Sequence, residues 1–319
     1  MTKVLVTGGA GYIGAHVAAE LLNEGYSVRI YDDFSNGLHR RVDGKFRDIV
    51  EGDILDREKL IRAMQGVDAV IHLAAKKAVE ESVKNPLKYY ENNVGGTLNL
   101  LAAMSVKGVK KIVFSSSAAV YSPNDKDAIE ETDPTVPLSP YGATKLLSEE
   151  LISSVGGAEK ISHISLRYFN VVGSAIPEFG DNSKDNLVPK VFTAFKEGKR
   201  PEIFGNDYPT KDGTCIRDYI HVGDLAEAHL LALKKAESSM LNEVYNVGSG
   251  TGYSVKEMMD QMAQSMKVDL NPIISGRREG DSPQLIASIK KIEQDLGWRP
   301  RSTLTEMIDS SWKAEQANR

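Results

Sequence analysis

The chain has 319 residues, 41% hydrophobic and 26% charged, which suits one large core or two moderate ones and excludes disorder, collagen and a disulfide scaffold. Its formal charge of −5 and pI of about 5.8 offer nothing to a nucleic-acid backbone or an anionic membrane surface, so neither partner is expected. Cys215 is the single cysteine, so no intrachain disulfide and no cysteine-based zinc cluster can form, and no metal site is expected.

In chain order, the apolar run 4–7 reads as a buried strand that ends at Gly8, and a helix follows over about 13–23. That run is too short for the apolar region of a signal peptide, and no stretch of about 18 apolar residues occurs, so a cytoplasmic location is expected. Further short strands are predicted at 27–31, 46–51, 69–73, 111–115 and 161–167, with helices at 57–64, 87–106 and 141–155. Strands alternating with helices of this length predict an α/β fold, a Rossmann-type doubly wound parallel sheet covered on both faces. Past residue 170 the texture changes to loop-rich stretches, 171–185 and 205–214, between shorter helices at 187–197, 222–235, 255–266 and 304–314 and a strand candidate at 244–247. The division expected is a dinucleotide-binding domain over 1–170, with segments returning from about 215–248, and a smaller mixed α/β substrate-binding domain over 171–319.

VLVTGGAGYIG carries the first chemical signal, because it directly follows an apolar strand and runs into a helix. Gly8 is suited to the tight turn, Gly11 to close approach of a pyrophosphate, and Gly14 to close packing of helix on strand, with Tyr12 and Ile13 at the helix start. Asp32 and Asp33 end the second strand, about 20 residues beyond the last loop glycine, where a carboxylate binds a ribose diol and repels a 2′-phosphate. NAD is therefore preferred to NADP, and Asp32 to Asp33 as the contact. Asn36 lies just beyond this pair, Asp53 and Ile54 fit the adenine edge, and Leu73, Ala74 and Ala75 leave room for the cofactor backbone. For Asp53 the alternative is a loop cap.

Ser115, Ser116 and Ser117 follow the predicted strand at 111–115, and SPYGATK opens a helix that puts Tyr141 and Lys145 on one face, one turn apart. A phenol with an ordinary pKa near 10 is a poor base at neutral pH, but a neighbouring ammonium favours its phenolate. A serine from the strand end can share a substrate oxygen with the tyrosine. Together they make a proton-transfer device suited to hydride exchange between a carbinol and a nicotinamide.

These motifs, with KAVEESVKNPLKYYENNVGGTLNL, FSSSAAVY, LRYFNVVG, IFGNDYPTKDGTCIRDYIHVGDLA and RREGDSP in order from residue 3 to residue 283 and LGWRP in the tail, resemble the sugar-nucleotide epimerases of the extended short-chain dehydrogenase/reductase family. The resemblance implies tightly bound NAD and inversion at C4 of a UDP-hexose, interconverting UDP-glucose and UDP-galactose through a transient 4-keto sugar. It makes Tyr141 the acid–base residue at the 4-hydroxyl, Lys145 its partner at the nicotinamide ribose, and Ser117 an aid at the 4-oxygen. Lys77, Asn92, Ser115 and Tyr168 would line the cofactor groove. Asn170, Asn186 and Leu187 would touch the UDP-sugar, and Arg217, Arg278 and Asp281 would hold the diphosphate and the uridine ribose. A homodimer is also implied, through the helices around 87–106 and 141–155.

Departures from the family pattern are Lys76, an extra charge expected to be solvated, Val171 where a proline is common, and a short stretch between Asn170 and Asn186. Leu285 stands where residue size is thought to gate N-acetylated sugars, and its bulk favours the plain hexoses. The competing assignment is a 4-epimerase for UDP-N-acetylhexosamines or UDP-pentoses. A 4,6-dehydratase lacks its Asp-Glu pair, since Ser117 is followed by Ala118 and Ala119. A cofactor sensor without chemistry is expected to lose Tyr141 or Lys145, and a net dehydrogenase needs a cofactor that exchanges.

Overall fold

The structure, a computed structural model, describes residues 1–122, 126–278 and 281–318. Pro123 of the serine motif and Glu279 and Gly280 of RREGDSP lie outside the described residues. The strands are β1 (Lys3–Thr7), β2 (Ser27–Asp32), β3 (Asp48–Glu51), β4 (Ala69–His72), β5 (Lys111–Ser115), β6 (Ser162–Tyr168), β7 (Asn170–Val172), β8 (Glu202–Phe204), β9 (Ile216–His221), β10 (Asn242–Val247), β11 (Gly252–Ser254), β12 (Ile273–Ser275) and β13 (Gln284–Leu285). Among the described residues, seven of them form one parallel sheet in the order β10-β6-β5-β4-β1-β2-β3. The order reverses between β1 and β4, and ligands of open α/β sheets bind in the crevice beyond the strand ends at such a point.

Near-continuous apolar runs are what a doubly covered sheet requires, and alternate residues serve opposite faces. Val4, Val6, Ile71, Val113, Ile164 and Leu166 pack against the helices Tyr12–Asn23 and Val222–Ser238. Leu5, Val70, Ile112 and Phe114 pack against Arg57–Ala63, Gly96–Lys107 and Pro140–Glu159. Trp298 of the LGWRP tail returns to the first of these cores, buried, and its Nε1 donates to the carbonyl of Asp224 at 3.0 Å.

A separate core lies beyond β6, where Val188, Val191 and Phe192 meet Met258, Met259, Met262, Met307 and Ile308. Here β9 pairs with β7, β11 and β13, and β8 with β12. Only Phe169 separates β6 from β7, so the chain passes from one sheet into the other within a single residue. Of the segment 215–248, the helix Val222–Ser238 and β10 join the large sheet, whereas β9 stays with the small one. The large sheet's edge beside β6 is taken by β10, and β9 finds its hydrogen bonds on both sides within the small sheet.

The helix expected over 87–106 is broken into Pro86–Tyr89, a π-helical turn Tyr90–Gly95 and Gly96–Lys107. Among the described residues no helix is long and apolar enough to cross a membrane. Ile71 is fully buried in the middle of the large sheet. Ile71→Ala should therefore cost about 3 kcal/mol of folding free energy in equilibrium denaturation; a loss below about 1 kcal/mol would show that this core collapses around the gap.

Candidate functional site

The glycine turn lies at the reversal point of the sheet. Gly8 has φ of +71°, and a Cβ there would sit 2.8 Å from the backbone nitrogen of Ala74. A Cβ on Gly14 would sit 2.1 Å from the carbonyl oxygen of Gly8, so no side chain fits between helix and turn. Gly11 caps the helix Tyr12–Asn23 with no side-chain hydrogen bond, leaving first-turn N–H groups at the cleft, the arrangement that receives a phosphate.

From this turn a cleft of about 520 Å³ opens. Gly8, Gly11, Tyr12, Ile13, Gly14, Asp32, Asp33, Asn36, Ile54, Leu73, Ala74, Ala75, Lys77, Asn92, Tyr141, Lys145 and Tyr168 all line it, which brings together nearly the whole set expected for a dinucleotide. Asp32 is buried and accepts from the N–H groups of Ala10 and Phe34 at 2.9 Å each. Burial raises its carboxyl, and those two bonds pull it back down. Two residues of the set do not line the cleft. Oδ1 of Asp53 accepts from the N–H of Leu55 at 2.8 Å, the loop cap that was its alternative. Ser115 is fully buried, with Oγ 2.6 Å from Nε2 of His229, and it acts through its carbonyl oxygen.

That carbonyl accepts from Nζ of Lys145 at 2.7 Å. Tyr141 and Lys145 are both buried, one turn apart on Pro140–Glu159, and the hydroxyl of Ser117 lies on the side of the Tyr141 phenol. Burial raises the Tyr141 phenol, and the Ser117 hydroxyl opposes the shift. Burial pushes the Lys145 ammonium down to about 7, with the carboxylate of Glu149 opposing. A buried phenol at the cleft wall, a serine and a lysine poised between its charged and neutral forms are groups able to move one proton at a substrate oxygen.

A second cleft of about 670 Å³ holds Asn170, Asn186, Leu187, Arg217, Arg278 and Asp281 in its walls. Nη2 of Arg217 lies 3.1 Å from Oδ1 of Asp281, and the Arg278 guanidinium stacks 4.0 Å above the ring of Phe204. Both clefts are lined by Tyr12, Asp181, Asn182 and Asp185, so they meet at the loop that follows β7. Leu285 lines neither; it packs on the cluster of Ala118, Tyr121 and Phe169, behind the serine turn. Lys76 is half-buried in the first cleft rather than solvated. Asn93 grips its N–H and C=O at 2.8 and 3.0 Å, which aims Nζ across the cleft to Oγ of Ser35 at 3.2 Å.

Three positioning residues carried no signal that sequence reasoning read. Asn93, on the π-helical turn, also donates to Oγ1 of Thr144 at 3.0 Å and so ties the cleft wall to the helix of Tyr141. The interrupted YYENNVGG run, with two adjacent glycines, was the available hint. Arg41 is fully buried, and its Nη2 donates to the Gly180 carbonyl at 2.6 Å and to Oδ1 of Asn182 at 2.9 Å. It holds the loop shared by both clefts, and nothing in an exposed-looking HRRV run announces that. Gly142 is the third, since a Cβ there would lie 2.2 Å from the Ala119 carbonyl. Gly142→Ala should push the helix off the serine turn, lengthen the Lys145–Ser115 bond and cost about 1–3 kcal/mol of stability. Parent stability together with an unchanged Lys145–Ser115 distance in a crystal structure would contradict this.

Comparison with known proteins agrees with this geometry. Residues 4–248 match the NAD dependent epimerase/dehydratase family. The chain is 44% identical to a UDP-glucose 4-epimerase of Bacillus subtilis (strain 168), over 99% of this chain and 97% of that protein. It superposes with a TM-score of 0.95 and 39% identity on the UDP-glucose-4-epimerase of Stenotrophomonas maltophila, solved with bound NAD and formylated UDP-arabinopyranose, covering 99% of this chain and 98% of that one. The UDP-Glc/GlcNAc 4-epimerase of Campylobacter jejuni matches with a TM-score of 0.88 and 37% identity, over 99% of this chain and 100% of that one. A parallel sheet reversing at a glycine turn, a Tyr141–Lys145 pair at the cleft floor and a match over most of its length make this chain a member of the NAD dependent epimerase/dehydratase family.

Proposed function

We propose that this chain is a UDP-glucose 4-epimerase that interconverts UDP-glucose and UDP-galactose with resident NAD. The observation that carries this reading is the pair of adjoining clefts, one with Tyr141 and Lys145 in its wall, the other with Arg217 and Arg278. The first cleft fits NAD: a turn no side chain could enter, an uncapped helix N-terminus for the pyrophosphate, and Asp32 for the adenosine ribose. When bound there, NAD supplies reversible hydride acceptance at C4 of the sugar and, while oxidised, a positive ring near Tyr141.

Tyr141 Oη takes the proton of the 4-hydroxyl and returns it once the opposite face of the 4-keto sugar has turned inward. Ser117 holds the same oxygen through its hydroxyl. Lys145 is fixed on Ser115 one turn along from Tyr141, where an ammonium favours a phenolate. Arg217 and Arg278 grip the diphosphate with planar donors while the sugar ring turns about its bond to it. Residues 1–170 with the returning helix and β10 form the cofactor domain in this reading, and 171–319 the sugar-nucleotide domain. Val83, Leu87, Tyr90, Leu98 and Leu147, exposed on the helices around 79–107 and 140–159, support a homodimer through those helices. A cytoplasmic location accords with a lone, buried cysteine.

Leu285 lines neither cleft, so in this reading its bulk favours plain hexoses over N-acetylated ones indirectly, through the Ala118 and Phe169 cluster on which it packs behind Ser117. Tyr141→Phe should lower epimerisation by about a thousandfold or more while bound NAD and UDP affinity stay at parent values; near-parent turnover would remove the tyrosine from the mechanism. Leu285→Ser should raise the kcat/KM ratio of UDP-N-acetylglucosamine to UDP-glucose by about tenfold. An unchanged ratio would show that this position does not set substrate size.

A further inference from the structure

Ser115, Ser116 and Ser117 leave β5 in succession, and each meets a different residue on one face of the helix Pro140–Glu159. The Ser115 carbonyl accepts from Nζ of Lys145 at 2.7 Å, the Ser116 hydroxyl donates to Oε1 of Glu149, and the Ser117 hydroxyl acts on the Tyr141 phenol, favouring its ionised form. Tyr141, Lys145 and Glu149 follow at intervals of four residues, so their side chains stack along that face. Glu149 lines neither cleft and is 7% exposed. It is held from β6 by Arg167, whose Nη2 and Nε reach Oε2 and Oε1 at 2.6 and 3.0 Å. Arg167 in turn donates to the Tyr121 hydroxyl at 2.9 Å and to the Glu131 carbonyl at 3.4 Å. The two charges are expensive to desolvate, and well-packed apolar residues usually replace such a pair with no loss of stability. The fold alone therefore does not call for an ion pair here.

We propose that Glu149 is a positioning residue for the reaction: clamped by Arg167, it anchors Ser116 and thereby holds the Ser115 carbonyl on Lys145 and the Ser117 hydroxyl on Tyr141. The inference rests on the reading of Tyr141 as the acid–base residue. Its geometric part is the serine turn: His229 holds the Ser115 hydroxyl from another helix, and Ser116 on Glu149 is the side-chain anchor to the helix that carries Tyr141 and Lys145. Its electrostatic part is charge. Lys145 is pushed down to about 7 by burial, and the Glu149 carboxylate, one turn along, opposes that shift. The charged and titratable groups around Glu149 are Lys145 on its own helix, Arg167 from β6, and Tyr121 and Glu131, which influence Arg167 and Tyr121 from beyond it. Removing the carboxylate lets Lys145 give up its proton at lower pH, so an activity that needs the ammonium is lost earlier as pH rises.

Two variants of the NAD-loaded protein test this. Ser116→Ala removes one hydroxyl and leaves the ion pair intact. Glu149→Met combined with Arg167→Met removes both charges together and leaves no lone buried charge. Each should lower kcat by about tenfold with KM for the UDP-sugar within about twofold of the parent, while the protein still copurifies with its dinucleotide. The double variant should also move the alkaline limb of kcat to lower pH, since Glu149, and not Arg167, is the charge that acts on Lys145. Parent-like kcat in Ser116→Ala, or a double variant with the parent's kcat or the parent's alkaline limb, overturns the proposal. So does a fall in melting temperature with kcat per folded molecule unchanged, which is what a purely structural pair would give. If the double variant does not fold, kcat of Ser116→Ala alone decides. Tyr141→Phe separates the two levels: if it keeps turnover the acid–base reading fails, and if it is inactive while these variants are parent-like only the positioning role fails.

Discussion

Lys145 reaches the carbonyl of Ser115 across 2.7 Å, a bond that ties the helix Pro140–Glu159 to the end of β5 while the start of that helix lies closer to the Ala119 carbonyl than a side chain would allow. Gly142 makes that approach possible at the helix start, and Glu149 with Arg167 secures it two turns further on. The neighbouring parts of the site take their places from it. Asn93 binds the same helix through Thr144 and also holds the backbone of Lys76, so the cofactor-side wall and the proton-transfer groups are referred to one rigid element. Interior packing resists small displacements, so such a constraint fixes positions to fractions of an ångström.

Burial has opposite consequences for the two partners. It holds the Tyr141 phenol in its protonated form and favours the neutral form of Lys145. A buried pair of this kind is inactive by itself and becomes reactive when positive charge is brought close. The adjoining cleft answers a different demand. Arg217 and Arg278 lie in its wall, away from the proton-transfer groups, so an anionic anchor can be held without touching the reacting end. Arg41 and the loop it grips sit where the clefts meet, and that contact sets their separation.

Much of this was legible in the sequence because it follows from local rules. Val4–Val6 followed by Gly8, Gly11 and Gly14 is both a buried strand and a phosphate turn, and Tyr141 and Lys145 share a face by helical spacing alone. The small sheet was not legible. Strands of two or three residues, such as Gln284–Leu285 and Gly252–Ser254, carry no period, and their pairing with β9 is decided by contacts distant in sequence. Asp53 shows a complementary ambiguity. A Gly-Asp pair after a strand suits either a ligand or a loop cap, and the structure shows the cap, with Oδ1 on the N–H of Leu55, beside Ile54 in the cleft wall. Lys76 looked solvated because charge is usually exposed, yet a backbone held at both ends by Asn93 turned it into the cleft. Arg41 and Glu149 were silent for a related reason: a buried charge is recognised by its partners, and Gly180 and Arg167 are far from them along the chain.

In the proposed reaction one bound cofactor removes and returns the same hydrogen at C4 of a sugar whose UDP stays anchored. Its most direct test is to incubate the purified protein, with no NAD added, with UDP-galactose carrying deuterium at C4, and to follow the label by mass spectrometry and NMR. The expected product is UDP-glucose that retains deuterium at C4, with no hydrogen taken from solvent at that carbon. UDP-glucose that has lost the label to water, or no UDP-glucose from protein shown to contain NAD, would contradict it.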